Sequence, residues 1–413
     1  MIKRAGVLAV AVFLALTILG PVPVQAQGGL KILSSSAKVE FPSELSFSLS
    51  TESDVDIADI RLHYTVDRIS LAHVTSEVYI EFVPGPVVDT EWTLDMRMTG
   101  GLPPGSSVEY WWTVEDASGC RVETAPARVQ FDDNRYFWHS LTEGKVTIFW
   151  YEGGDSFAQE LMAAAHQALA RLTEDTGACL ERPVSMYIYA STSDLQGAMI
   201  YSQEWAGGVT FARYGIIAIG ISPDSLYWGK RTVVHELTHL IIHQEILNPY
   251  CSLPTWLDEG LAMYAEGNLE PGFATALHEA LAEDSLISVR SLSSPFSAFA
   301  EESYLAYAQG YSLVEFLVTN YGQAKMLELL DTFSQGSSYD AALGKVYGFD
   351  TDGLDALWRD YVTEQYGASA VTTTGTTTVA IHPALFAVLA ALATGLLLVL
   401  GLFVEDWAWR RGW

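Results

Sequence analysis

His235-Glu236-Leu237-Thr238-His239, followed by Trp256-Leu257-Asp258-Glu259-Gly260, is the stretch on which this chain turns. On a helix, residues i and i+4 stand one above the other on one face. His235 and His239 can therefore turn two imidazole nitrogens toward one metal ion. Glu236 lies one step round the helix, within reach of a water on that ion. Glu259 follows His239 by 20 positions and opens a second apolar helical segment, which makes it the natural third ligand. Two histidines, one carboxylate and a water form the open four-coordinate arrangement of a hydrolytic zinc site, with Glu236 as general base. His243 continues the series. It lies about 12 Å along the helix axis from His235, too far for one tetrahedral ion to span, and is expected to pack or to support the site from outside.

Outward from this motif, the flanking segments read as α+β. Val146–Trp150, Val184–Tyr189 and Gly215–Ile221 are apolar enough for strands, and the segment 215–221 is a candidate for pairing with an extended peptide. Phe157, Leu161, Ala165, Ala168 and Leu172 trace one helix face, with Ser156 and Gln159 spaced as a capping box. The helix bearing His235 is expected over 225–244. Thr255 is placed to cap the helix of Glu259 and Gly267 to close it. From Glu279 to Tyr366 the pattern is almost wholly helical.

Residues 28–135 read differently. Leu45, Phe47 and Leu49 alternate with polar residues, as do Ile60, Leu62, Tyr64 and Val66, then Trp92, Leu94, Met96 and Met98, then Val108, Tyr110, Trp112 and Val114. Period two between turn signals such as Pro84-Gly85 and Pro103-Pro104-Gly105 predicts antiparallel strands and an all-β sandwich. Leu102–Gly119 loosely resembles a fibronectin type III or immunoglobulin-like domain, without the Cys-Trp-Cys spacing of true immunoglobulin domains.

The ends are apolar. A basic start at Lys3-Arg4, an uncharged run from Val7 to Leu19 and the small-residue site Val24-Gln25-Ala26 have the order of a secretory signal peptide, residues 1–26. A threonine-rich stalk, 367–382, precedes Pro383–Val404, which has no charged residue and is long enough to span a bilayer; Arg410 and Arg411 favour a cytoplasmic tail, 405–413. The expected location is the cell membrane, single-pass, with the catalytic domain extracytoplasmic and the membrane held through the C-terminal helix. Net charge is −28 over 413 residues, which opposes binding to nucleic acid. Of Cys120, Cys179 and Cys251, the last two are the expected disulfide pair in an exported protein.

The motif His-Glu-x-x-His with Trp-x-x-Glu-Gly-x-Ala resembles the gluzincins, zinc peptidases of the peptidase MA-like superfamily. The resemblance covers 140–366 and implies a thermolysin-like domain, with a small sheet, a zinc helix and a helical C-terminal lobe. It implies His235, His239 and Glu259 as zinc ligands, Glu236 as catalytic base and a peptide or protein as substrate. Tyr307-Ala-Gln-Gly310 is similar to the Tyr-x-x-Gly segment of the related aminopeptidases, whose tyrosine binds the oxyanion; Tyr304, Tyr307 and Tyr311 are all placed to do so. The Gly-Ala-Met-Glu-Asn segment of those aminopeptidases, which holds the substrate's free amine, is absent, so an endopeptidase is expected. The thermolysin group's Asp four residues after the third ligand is Met263 here, leaving Asp258 and Glu266 as candidates to orient the histidines. The expected fold class is therefore multi-domain: an N-terminal all-β sandwich, an α+β thermolysin-like zincin domain (140–366), then one transmembrane helix (383–404). The alternative function is a non-catalytic, zinc-containing surface binding or adhesion protein.

Overall fold

The structure, a computed structural model, describes residues 29–367 apart from 71, 73, 177–179, 181, 202–206, 249–251, 298 and 299. The N-terminal part contains β1 (Lys31–Glu40), β2 (Glu44–Glu52), β3 (Ile57–Val66), β4 (Ser76–Tyr79), β5 (Val87–Asp95), β6 (Ser106–Asp116), β7 (Arg121–Glu123) and β8 (Ala127–Phe131). These make two antiparallel sheets, β1-β2-β5 and β4-β3-β6-β7, with β8 also paired to β6. The chain crosses between sheets after β2, β4 and β5. Leu45, Phe47 and Leu49 of one sheet share a core with Ile60, Leu62, Val108, Tyr110, Trp112 and Val114 of the other. Phe47 and Tyr110 join them directly, ring centroids 4.9 Å apart. The alternation at Trp92 and Leu94 does not continue as strand. Asp95 accepts from the Arg97 amide at 2.9 Å and starts a 3₁₀ turn at Met96–Met98, which buries Met96 and leaves Met98 82% exposed.

The second part contains β9 (His139–Glu143), β10 (Val146–Trp150), α1 (Gly154–Thr176), β11 (Val184–Tyr189), α2 (Thr192–Gln196), β12 (Gly208–Phe211), β13 (Ile216–Gly220), α3 (Leu226–Glu245), α4 (Thr255–Ala265), α5 (Pro271–Ala282), α6 (Val289–Leu292), α7 (Ala300–Tyr321), α8 (Gln323–Ser334), α9 (Tyr339–Val346) and α10 (Thr351–Gly367). Helix α1 begins two residues before Ser156, which therefore sits in the first turn and does not cap it. The sheet order is β12-β13-β11-β10-β9. Its three central strands are parallel, and β9 and β12 run antiparallel at the edges.

Both faces of this sheet are covered, which explains why its central strands read as continuous apolar runs. Val146, Ile148, Val184, Met186, Ile188, Ile217 and Ile219 pack beneath α1 and α3. Tyr187, Tyr189, Ile216 and Ala218 face the other way and join the core of the β domain. Gly105, in the turn before β6, meets the Tyr187 ring so closely that a Cβ would lie 2.1 Å from its hydroxyl oxygen. Sandwich and catalytic sheet are thus packed through one hydrophobic core, and the edge strand β12 is held in a fixed frame.

The expected fold class needs correction at its C-terminal end. The described chain is a β-rich domain followed by an α+β domain, and among the described residues no helix is long and apolar enough to cross a membrane. The expectation rested on the hydropathy of 383–404. The stretch 383–404 itself, the signal segment, the tail and nearly all of the stalk lie outside the described residues, as do Cys179 and Cys251.

Candidate metal centre

Helix α3 carries Arg231, His235, His239 and His243 at four-residue spacing, one polar stripe along a single face. Helix α4 crosses this stripe with Asp258 and Glu259. Its position is set by two glycines: a Cβ on Gly260 would lie 2.4 Å from the Gly310 carbonyl oxygen of α7. Backbone touches backbone there, as only glycine permits. The glycines that end the two sequence motifs are thus the contact that brings Tyr307 to the side of Glu259.

The structure brings together three lone-pair-bearing atoms. His235 Nε2 and His239 Nε2 are 3.1 Å apart, and Glu259 Oε2 is 3.4 Å from each. A tetrahedral ion with bonds of about 2.0–2.2 Å separates its ligand atoms by roughly 3.4 Å. Glu259 Oε2 is buried, and no hydrogen bond satisfies it, a costly state for a carboxylate unless a cation occupies the centre. The donor set and its spacing fit a metal ion. Burial opposes the charge on His235, but Glu259 and Glu266 outweigh it and lift the imidazole to about 9. His239 is raised as well, against burial, by Glu259 and Asp258. Burial likewise opposes ionisation of Glu259, and the two imidazoles overcome it, pulling the carboxyl down to about 2.

Each imidazole is oriented from behind. His235 Nδ1 lies 2.8 Å from Glu266 Oε1, and Glu266 is held in turn by Arg231 at 3.0 Å. His239 Nδ1 lies 2.9 Å from Asp258 Oδ1, whose other oxygen takes His243 Nε2 at 2.8 Å. With carboxylates on both Nδ1 atoms, the neutral rings carry their protons there and turn both Nε2 lone pairs inward. Glu266 supplies from two helical turns beyond Glu259 what an Asp at position 263 would supply from one; Met263 itself is buried. Asp258 and Glu266, the two candidates for orienting the histidines, take one each; the motif does not single out Arg231.

Glu236 is buried beside the edge strand. Thr210 Oγ1 lies 2.7 Å from its Oε2 and 2.9 Å from its backbone oxygen, donating to one of the two. A Cβ on Gly208 would fall 2.4 Å from Glu236 Oε1, so the strand admits this carboxylate only where the side chain is missing. Strand β13, in contrast, is flanked by β11 and β12 and has no edge to offer a peptide. Of the three tyrosines, Tyr307 lines the cavity of about 660 Å³ that contains the triad and Glu236. Burial and the carboxylates of Glu259, Glu236 and Asp258 push its phenol far above the ordinary range, so it stays protonated. Tyr304 stacks on Phe273 with centroids 3.9 Å apart, and Tyr311 lines a different cavity behind α4.

Residues 164–364 match the family model described as Peptidase MA superfamily. The match supports the gluzincin-like reading of that stretch, and a β domain precedes it. No curated protein matches. Among solved structures, the chain is similar to an M1 zinc metallopeptidase from Deinococcus radiodurans, with 15% identity, 81% of this chain and 94% of that one covered, and a TM-score of 0.34. It is also similar to a family 56 carbohydrate-binding module, a β-1,3-glucan binding domain, with 18% identity, 23% and 95% covered, and a TM-score of 0.15. At those scores neither likeness bears on the chemistry of this chain.

Proposed function

We propose that the chain is a zinc-dependent peptidase that cleaves within peptide chains. His235, His239 and Glu259 would hold the ion, which when bound acidifies a water and polarises a carbonyl. Glu236 takes the proton from the attacking water and passes it to the leaving amine. Thr210 and the gap at Gly208 hold that carboxylate against β12. The Tyr307 hydroxyl, kept protonated, donates to the oxygen that gains charge. The free edge of β12 offers backbone partners to an extended peptide. A Gly-Ala-Met-Glu-Asn segment of the aminopeptidase kind does not occur in the sequence, which supports cleavage away from the N-terminus. The apolar start of the chain and its small-residue site support export of this domain.

The observation that carries the proposal is the convergence of three donor atoms within 3.4 Å beside a buried carboxylate that none of them uses. The alternative of a non-catalytic zinc protein gives Glu236 nothing to do. Replacing Glu236 with Gln is expected to leave zinc stoichiometric while lowering peptide turnover by about 10²–10⁴-fold. Metal analysis together with cleavage of a peptide mixture, with and without chelator, measures both. Undiminished turnover in that variant would remove Glu236 from the reaction.

A further inference from the structure

The cavity around the triad is bordered at His243 by a second one. His243 and Asp258 stand in the walls of both, and the second has a volume of about 250 Å³. The second cavity is lined by the alkyl side chains of Ile69, Ala212, Ile246, Leu247 and Leu253 and by the polar Arg213, Asn248 and Ser252, besides His243 and Asp258. Asp258 is already engaged by His239 and His243, and the Asn248 amide by the Ser334 carbonyl, so the five alkyl side chains form an apolar wall in a chamber of mixed lining.

One wall comes from the other domain. Ile69 belongs to the segment after β3, and its amide donates to the Arg213 carbonyl at 2.6 Å. This pins the sandwich onto the turn that follows edge strand β12. Ahead of that strand, Tyr201, which lines the larger cavity, donates its hydroxyl to the Arg97 carbonyl at 2.9 Å. The sandwich therefore holds the cleft-lining segment on both sides of β12, and at one of them contributes a side chain to the cleft.

We infer that the second cavity is a substrate subsite shared by the two domains, that it takes an apolar side chain of the peptide, and that Ile69 of the sandwich sets its size. The inference rests on the peptidase reading. The two cavities share His243 and Asp258 in their walls, which puts an occupant of the second within one peptide's reach of Glu236. The alkyl wall of that cavity selects by burial, in which one methylene group more or less changes kcat/KM by about 10–200-fold.

The test is a positional-scanning peptide library cleaved by the full-length chain and by its Ile69→Trp, Ile69→Ala and Leu247→Ala variants. The chain as it stands should prefer Leu or Phe over Gly at one substrate position by about tenfold or more. Ile69→Trp should erase that preference, and Ile69→Ala and Leu247→Ala should shift it toward larger side chains. Dissociation constants of the same peptides for the Glu236→Gln chain, with and without Ile69→Trp, should move in parallel. Should Ile69→Trp not fold, Leu247→Ala tests the opposite wall. A library profile unchanged in the variants, or altered equally at every position, overturns the shared subsite alone. Absence of cleavage by the unaltered, metal-loaded chain overturns the peptidase reading and the subsite with it.

Discussion

The two imidazoles of the metal group are held by unlike arms. Behind His235 stand Glu266 and then Arg231, with side chains 11% and 15% exposed, and Arg231 also reaches Glu270 at 3.3 Å. Behind His239 stand Asp258 and then His243, 21% and 38% exposed. The first arm ends on a guanidinium paired with both Glu266 and Glu270. The second ends on an imidazole at the boundary of the two cavities. The first arm is built to fix a ligand, whereas the second links the metal group to the wall along which substrate would lie. Similar bond lengths at the ring nitrogens therefore hide different consequences for the two ends.

The arms meet at Glu259, so removing that residue is the severest test. Glu259→Ala should lower metal affinity by more than the roughly 10–100-fold that losing one orienting partner costs. Competition with a chromophoric chelator measures it, and retention of stoichiometric metal under that competition would show that the triad is not the site. Next in size are Glu266→Gln and Asp258→Asn, each expected to weaken metal binding by about 10–100-fold. Because both act on one ion, the double variant should depart from the product of the two.

Further out, the arms should diverge. Arg231→Ala leaves Glu266 mostly buried beside an imidazole with its counter-charge gone, and is expected to cost about tenfold in metal affinity. His243→Ala leaves Asp258 bonded to His239 and opens it to water, for a change within about threefold. The same His243 variant should raise KM for peptides more than it alters metal binding. Equal losses of metal affinity at the two outer residues would refute the division of labour between the arms.

Much of this was legible because a helix repeats every 3.6 residues. The spacing of His235 and His239, with Glu236 between them, needs only that period, and Glu259 needs one further helix. Asp258 and Glu266 could be named only as candidates, because an acidic side chain on an apolar helix is usually a surface residue. Their role depends on α4 crossing α3, which the Gly260–Gly310 contact determines. The four-residue series Arg231, His235, His239, His243 was a visible signal, and so was the seven-residue step from Glu259 to Glu266. The edge strand was harder to find. The apolar segment 215–221 attracted the comparison with a substrate-binding strand, yet its unbroken hydrophobicity is the mark of an interior strand. The strand at the rim is the short, half-buried β12. Nor does alternation within the β domain disclose that the catalytic sheet will share its core, since that depends on which distant faces meet. Hydropathy alone also carried the expectation of a membrane helix, and no described helix fulfils it.

The last expected effect is one of pH, and it separates the arms by which histidine each one moves. His235 in the metal-free chain is raised from 6.5 to about 9. A raised imidazole adds stability that is complete below its unfolded value and lost as pH climbs through the folded one. The metal-free chain should therefore lose stability between pH 6.5 and about 9. The ion competes with that proton, so its affinity rises over the same window, and the Tm gap between zinc-loaded and chelated protein should widen. Glu266 is among the groups that raise His235, whereas Asp258 acts on His239. Glu266→Gln should accordingly narrow the His235 window from its upper end, and Asp258→Asn should leave it in place while the contribution of His239 shrinks. Thermal melts of the three metal-free chains across this range, alongside imidazole titration by NMR, test it. If both variants moved the His235 titration equally, the arms would be one coupled network, and the separation drawn from their geometry would fail.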